Sequence, residues 1–223
     1  MRGKNAESVE LTAADAIQKK FADRSGKKIP IVKEGDTRRY RKNHIIVGTP
    51  ATCDRLQKME KPKHDGWQMS IDDDNISLLG GVPRGALYAA DHFLNVIKIS
   101  KVGLSIQKKT VREEPSFQTR LFLDYGMENP DFKLTDADLL RRHRYNACMM
   151  GIYTSNAILL KNSLPKVYRL VKNKSRAEKF IQRERRRAQH LDKLSKNYDI
   201  DYYIYFTLGI PNHLREAVYK IYP

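Results

Sequence analysis

Three apolar runs in the second half of the chain have the length and composition of buried strands: RLFLD at 120–124, NACMMGI at 146–152 and IDYYIYF at 200–206. Helical patterns separate them. Thr135 is placed to cap a helix that runs through Leu139 and Leu140 to about His143. Ser175 and Glu178 form a capping box ahead of the stripe Phe180, Ile181, Ala188, Leu191 and Leu194. A last helix is expected after Pro211. Strands that alternate with helices pair in parallel, because a parallel neighbour is reached only by a crossover, and the crossover helix covers the sheet. Three such units can neither close a barrel nor cover an open sheet, and the strand at 200–206 would leave a bare edge. The chain is therefore expected to be the front part of a larger protein.

The first half has a different rhythm. Thr12 and Asp15 have capping-box spacing, and Ala14, Ile17 and Phe21 then recur at helical intervals up to Ser25, with Gly26 free to take the left-handed conformation that ends a helix. Ile29-Pro30-Ile31-Val32 reads as a short edge strand, since Pro30 cannot donate to a ladder. Asn43–Gly48 reads as a buried strand, and Thr49-Pro50 as the N-cap and first residue of a helix. Trp67–Ile71 and Ile76–Leu79 flank the turn Asp72–Asn75 and read as a hairpin. Gly80-Gly81 then leads into a helix over about Pro83–Val96. No GxGxxG or GxxxxGK[ST] pattern accompanies these glycines, so the stretch reads as a joint between strand and helix rather than a phosphate cradle. Gly85 is expected to pack its bare Cα on the sheet, and Arg84 to be mostly exposed.

A net charge of +16 points to an anionic partner. Its distribution is even: residues 1–110 and 111–223 each hold 21 Lys+Arg and 13 Asp+Glu, hence +8 per half. Local basic clusters stand at 38–42, at Arg141-Arg142-His143-Arg144 and at Arg185-Arg186-Arg187. Cys53 and Cys148 lie far apart with no CxxC or His-rich neighbourhood and read as small buried residues. No zinc-ligand spacing, no Ser-His-Asp elbow and no cofactor motif is present, so no metal or cofactor is expected. No apolar window is long enough to span a membrane. The first residues have no apolar segment of the signal-peptide kind.

Five pieces occur in a telling order: AADAIQKKFADRSGKKIPI, NHIIVG, DGWQMSID, ISLLGGVPRGALYAADHFLN and PSFQTR. Together they resemble the N-terminal α+β domain that precedes the catalytic barrel in β-N-acetylhexosaminidases and α-glucuronidases, glycoside hydrolase families 20 and 67. LLRRHRYNACMMGIY and LSKNYDIDYYIYFTLGIP are similar to the second-unit and third-strand passages of the barrel in those families. The resemblance implies an α+β domain over 1–110 and, over 111–223, the first three or so βα units of an incomplete (β/α)8 TIM barrel. The family places a strand before its first helix; residues 1 to 10 show none, so the N-terminus is expected to be truncated as well.

The implied activity is hydrolysis of O-glycosyl bonds, with a carbohydrate as partner. Such chemistry needs acidic groups at the C-terminal ends of barrel strands. Those ends here are Asp124-Tyr125, Tyr153-Thr154 and Phe206-Thr207, with no carboxylate pair, so no catalytic residue is assigned within the chain. The resemblance carries three substrate-binding candidates. Arg120 matches a sugar-binding Arg at the start of the first strand, although the Asp that follows stands four positions on and not five. Asp124 is that Asp, and Asn146 matches the Asn of the second strand. Read as residues alone, Arg120 and Asn146 equally suit structural roles at the domain junction and in barrel packing, and Asp124 a cap or loop position. The alternative for the whole chain is a basic, non-catalytic module that binds nucleic acid or carbohydrate.

Overall fold

A computed structural model describes residues 1–36, 43–101, 103–124, 137–151 and 195–205, with isolated positions from 169 to 192 and at 220. The chain divides into two compact units. The first comprises Met1–Arg120, Ala137–Asn146 and Lys196–Asp199, and the second the remaining segments. The boundary read at residue 110 falls at the first residue of a strand of the first unit.

The first unit is a four-stranded sheet with two long helices. Strands β1 (His44–Gly48), β2 (Trp67–Ile71), β3 (Asn75–Gly80) and β6 (Thr110–Glu113) lie in the order β1-β3-β2-β6. The β1–β3 pair is parallel and the other two pairs are antiparallel. The hairpin follows from its turn: Asp72 Oδ1 accepts the N–H groups of Asp74 and Asn75 and so closes an Asx turn. Between β3 and β6 lies a small ribbon, β4 (Lys98–Ile99) and β5 (Leu104–Ser105). Helices α1 (Ser8–Ser25) and α2 (Pro83–Val96) carry Val9, Ala13 and Ile17 and Ala86, Leu87, Ala90 and Phe93 into one core with Trp67, Met69, Ile76 and Leu78. Because strand residues alternate, Ile46 and Leu79 point the other way, into a second cluster with Met1, Cys53 and Leu56. Each large apolar side chain buried in this way contributes roughly 1.5–3 kcal/mol.

Pro83 opens α2 as its spacing predicts, and Gly26 ends α1 with φ 71°. The glycines before α2 answer to close approach. A Cβ on Gly81 would stand 2.2 Å from the carbonyl oxygen of Pro62 and 2.5 Å from that of His64. Those oxygens crowd the turn from the Pro62–His64 loop, in keeping with a joint.

Three local expectations give way. Helix α1 starts at Ser8, not at Thr12: Glu7 is the N-cap and forms the capping box with Glu10, while Thr12 Oγ1 donates back to the Ser8 carbonyl within the helix. No α-helix follows Thr49. Its N–H donates to Thr52 Oγ1, one turn closes, and only a short 3-10 segment, Asp54–Leu56, follows. Ile29–Val32 is not a strand; pairing is confined to a bridge between Lys33 and Arg2, which also bridges to Val47. That bridge puts extended backbone ahead of α1, where the sequence shows no strand pattern.

Glu10 is fully buried at the base of α1. Its Oε2 accepts the Glu7 N–H at 2.7 Å and its Oε1 accepts the Thr52 hydroxyl at 2.5 Å. Burial raises its pKa above the ordinary carboxylate value, and the two hydrogen bonds offset this only in part. A carboxyl with a raised folded-state pKa contributes its full stability below the unfolded value and loses it as pH rises through the folded one. Glu10→Gln is therefore expected to compare better with the parent at pH 7 than at pH 4. Urea midpoints at both pH values test this, and a gap that widens toward pH 7 would contradict it.

The second unit contains a three-stranded sheet of β7 (Leu121–Asp124), β8 (Ala147–Gly151) and β9 (Asp201–Tyr205), ordered β7-β8-β9 and parallel throughout. Repetition of strand and helix predicts this pairing. Helix α3 (Ala137–Arg142) falls where its pattern places it and belongs to the first unit. Thr135 and the helix expected after Pro211 lie outside the described residues. So does most of the helical pattern read from Ser175 to Leu194.

Candidate functional site

Asp65 is the centre of a buried polar cluster in the first unit. It stands in the loop before β2, followed by Gly66, where a Cβ would meet the carbonyl oxygens of Lys63 and Glu113 at 2.7 and 2.9 Å. The loop is thus pressed against its neighbours, and the Asp65 carboxylate, 5% exposed, points inward. Arg120 holds it with two hydrogen bonds, Nη1 to Oδ1 at 3.1 Å and Nη2 to Oδ2 at 2.6 Å. Asn146 Nδ2 donates to Oδ2 at 3.2 Å, and Arg84 Nη1 stands 4.0 Å from the same oxygen.

The partners are themselves tied down. Arg120 Nε donates to the Arg144 carbonyl at 2.6 Å, and Nη1 also donates to that of Phe117 at 2.8 Å. Asn146 Oδ1 accepts the backbone N–H of Arg120 at 2.7 Å, while Nδ2 donates to the Gln118 carbonyl at 2.6 Å. Arg84 Nη1 donates to the Asn146 carbonyl at 3.1 Å, and Nη2 pairs with Asp199 at 3.3 Å. Two guanidinium groups thus meet two carboxylates. Burial of the Asp65 and Arg120 charges is tolerable only with such pairing and hydrogen bonding, whereas the Asp199 carboxylate is 42% exposed. Burial opposes the charge on Arg120, and the Asp65 carboxylate outweighs it, so the pKa of Arg120 lies above its ordinary value. Burial pushes the hydroxyl of nearby Tyr88 up to about 12, so it stays neutral.

The expectation for Arg84 was wrong. Its side chain is 8% exposed, because the first turn of α2 faces the Asp65 loop and not solvent. Gly85 lies beside the same loop: a Cβ there would stand 2.4 Å from the Gly66 carbonyl oxygen.

The structure brings Arg120 and Asn146 together, directly before β7 and β8 in the chain. Asp124 belongs to the second unit. It ends β7, level with Met150 of β8, and its side chain lies outside the described residues. Sequence reasoning missed Asp65 and Asp199. The only signal for Asp65 was its place in the Asp-Gly-Trp turn before an alternating strand; Asp199 had none. Both cysteines are buried, and neither forms a disulfide. Among the described residues no group of His, Cys, Asp and Glu side chains could hold a metal ion, and no helix is long and apolar enough to cross a membrane.

No protein-family model matches the sequence, and no curated protein matches it. Solved structures do. A family 20 chitobiase from Flavobacterium johnsoniae aligns over 100% of this chain and 32% of its own length, with TM-score 0.54 and 12% identity. A family 115 4-O-methyl-α-glucuronidase with specificity for decorated arabinogalactans (BtGH115A) aligns over 75% and 32%, with TM-score 0.50 and 15% identity. The family 84 protein CpGH84B aligns over 97% and 36%, with TM-score 0.50 and 13% identity. The chain has a glycoside-hydrolase-like fold. It spans about a third of the length of these proteins, and at such identities the likeness is one of fold.

Proposed function

We propose that the chain forms the front part of a glycoside hydrolase: an α+β domain followed by the opening units of a catalytic (β/α)8 barrel that cleaves O-glycosyl bonds in the manner of a hexosaminidase or an α-glucuronidase. The observation that carries this is the succession of the two units. An α+β unit with a four-stranded sheet is followed in the chain by parallel strands, and the likeness of fold to glycoside hydrolases of three families supports the reading.

In such a barrel, substrate meets the C-terminal ends of the strands, whereas the N-terminal ends serve stability. Of the three candidates, Asp124 is the one proposed to face the sugar. Arg120 and Asn146 precede their strands, and their polar groups are engaged around Asp65. They are proposed as residues that stabilise the first unit where the chain leaves it for β7 and β8, rather than as sugar ligands. The acid and its partner group are proposed to come from later strands.

The 223-residue chain by itself is accordingly expected to release no 4-nitrophenol from an aryl N-acetyl-β-glucosaminide and no uronic acid from glucuronoxylan fragments. Turnover by the pure chain, abolished by a substitution within it, would contradict this.

A further inference from the structure

We infer that a cleft on the first unit, walled by α1, α2 and the end of α3, binds an acidic glycan. The cleft has a volume of about 580 Å³, within the range of small-ligand sites. From α1 it receives Lys19, Lys20 and Asp23, which share one helical face, and from α2 it receives Asp91 and Asn95. The basic cluster at the end of α3 supplies Arg141, Arg142 and Arg144.

Two of these arginines are built into the wall. Arg141 and Arg144 stand 3.2 and 3.9 Å from the Asp91 carboxylate. Arg141 lies over the Tyr198 ring and Arg144 over the Tyr88 ring, 4.6 Å from its centre. Arg144 also holds φ at 58°, a left-handed conformation that persists in a residue with a side chain only where its surroundings enforce it. The other three cations are different. Lys19, Lys20 and Arg142 border the same cleft and have no carboxylate partner among the described residues. Like charges drawn together around a concavity favour an anion there.

Two further groups narrow the class of ligand. The Asp23 carboxylate and the Asn95 amide, both exposed, stand among the cations and suit a ligand that carries hydroxyl groups as well as charge. Among the described residues no aromatic ring lines the cleft for a base to stack on. A carboxylated or sulfated sugar chain satisfies both conditions. This inference concerns a surface of the first unit and does not depend on the glycosidase reading.

The test is titration of the full chain with polygalacturonate oligomers, heparin-derived oligosaccharides, neutral xylo-oligosaccharides and a random DNA duplex. The two acidic glycans separate carboxylate from sulfate as the recognised group. Binding of at least one of them is expected, together with little binding of the neutral sugar. The triple variant K19Q/K20Q/R142Q, whose changes are on the surface, is expected to bind about tenfold or more weakly. Lys58→Gln, a control outside the cleft, should bind as the parent does. The inference is overturned if neither acidic glycan binds, if the triple variant binds as the parent does, or if the duplex binds more tightly than both glycans.

Discussion

Asp65→Ala is expected to lower the stability of the folded chain by about 3–5 kcal/mol, a large share of the roughly 5–15 kcal/mol that holds a domain together. The substitution removes the one carboxylate that Arg120 grips with two hydrogen bonds and that Asn146 and Arg84 also face. The Arg84 and Arg120 side chains, 8% and 19% exposed, would keep their charges. Arg84 would still have Asp199 and the Asn146 carbonyl; Arg120 would keep the Arg144 and Phe117 carbonyls and the neutral Tyr88 hydroxyl, none of which carries a compensating charge. An uncompensated buried cation is the costly outcome, more so than loss of the pair itself. The double variant Asp65→Leu with Arg120→Met is therefore expected to lose clearly less than the sum of its single changes. Urea denaturation of Asp65→Ala, Asp65→Leu, Arg120→Met and the double variant measures this. A loss below about 1 kcal/mol for Asp65→Ala would mean that the cluster is wetter and weaker than described.

Gly85→Val is the second change with a large expected effect, about 3 kcal/mol, at the upper end of the usual cost of overpacking. An added Cβ would stand 2.4 Å from the Gly66 carbonyl oxygen and 3.1 Å from both the Asp65 carbonyl oxygen and Gly80 Cα. All three are backbone atoms, so no side chain can swing aside. The first turn of α2 must move outward or the Asp65–Gly66 segment must shift, and the second alternative would disturb the grip of Arg120. Gly85→Ala should already show much of the loss. Arg84→Ala is expected to cost about 1–3 kcal/mol, because it leaves a buried carboxylate short of a cation. A Gly85→Val midpoint within error of the parent would remove the packing argument.

What was legible in the sequence was local. The hairpin around Asp72–Asn75, the Pro83 start of α2 and the Gly26 end of α1 are set by residues adjacent in the chain, and the structure follows them. The parallel order of β7, β8 and β9 was legible because alternation of strand and helix leaves little other choice. Where the reading failed, a distant partner decided. Thr49-Pro50 has the chemistry of a helix start, but Thr52 next to it donates to Glu10 from α1, and the segment stops after a turn. Arg84, in the first turn of a helix after two glycines, looks exposed until the Asp65 loop closes over it. Asp65 itself stands 55 positions before Arg120 and 81 before Asn146, so no local pattern could reveal that these side chains meet. Arg120 and Asn146 were singled out by resemblance. Only the fold adds that their polar groups are occupied within the first unit.

The most direct measurement is turnover by the protein expressed with the whole of its reading frame, next to the 223-residue chain alone. Release of 4-nitrophenol from an aryl N-acetyl-β-glucosaminide and of uronic acid from glucuronoxylan fragments would be followed for both. The account predicts hydrolysis of one of the two substrates by the longer protein, reduced by Asp124→Asn without loss of folding, and none by the chain alone. A folded longer protein that hydrolyses neither substrate, or one indifferent to Asp124→Asn, would contradict it.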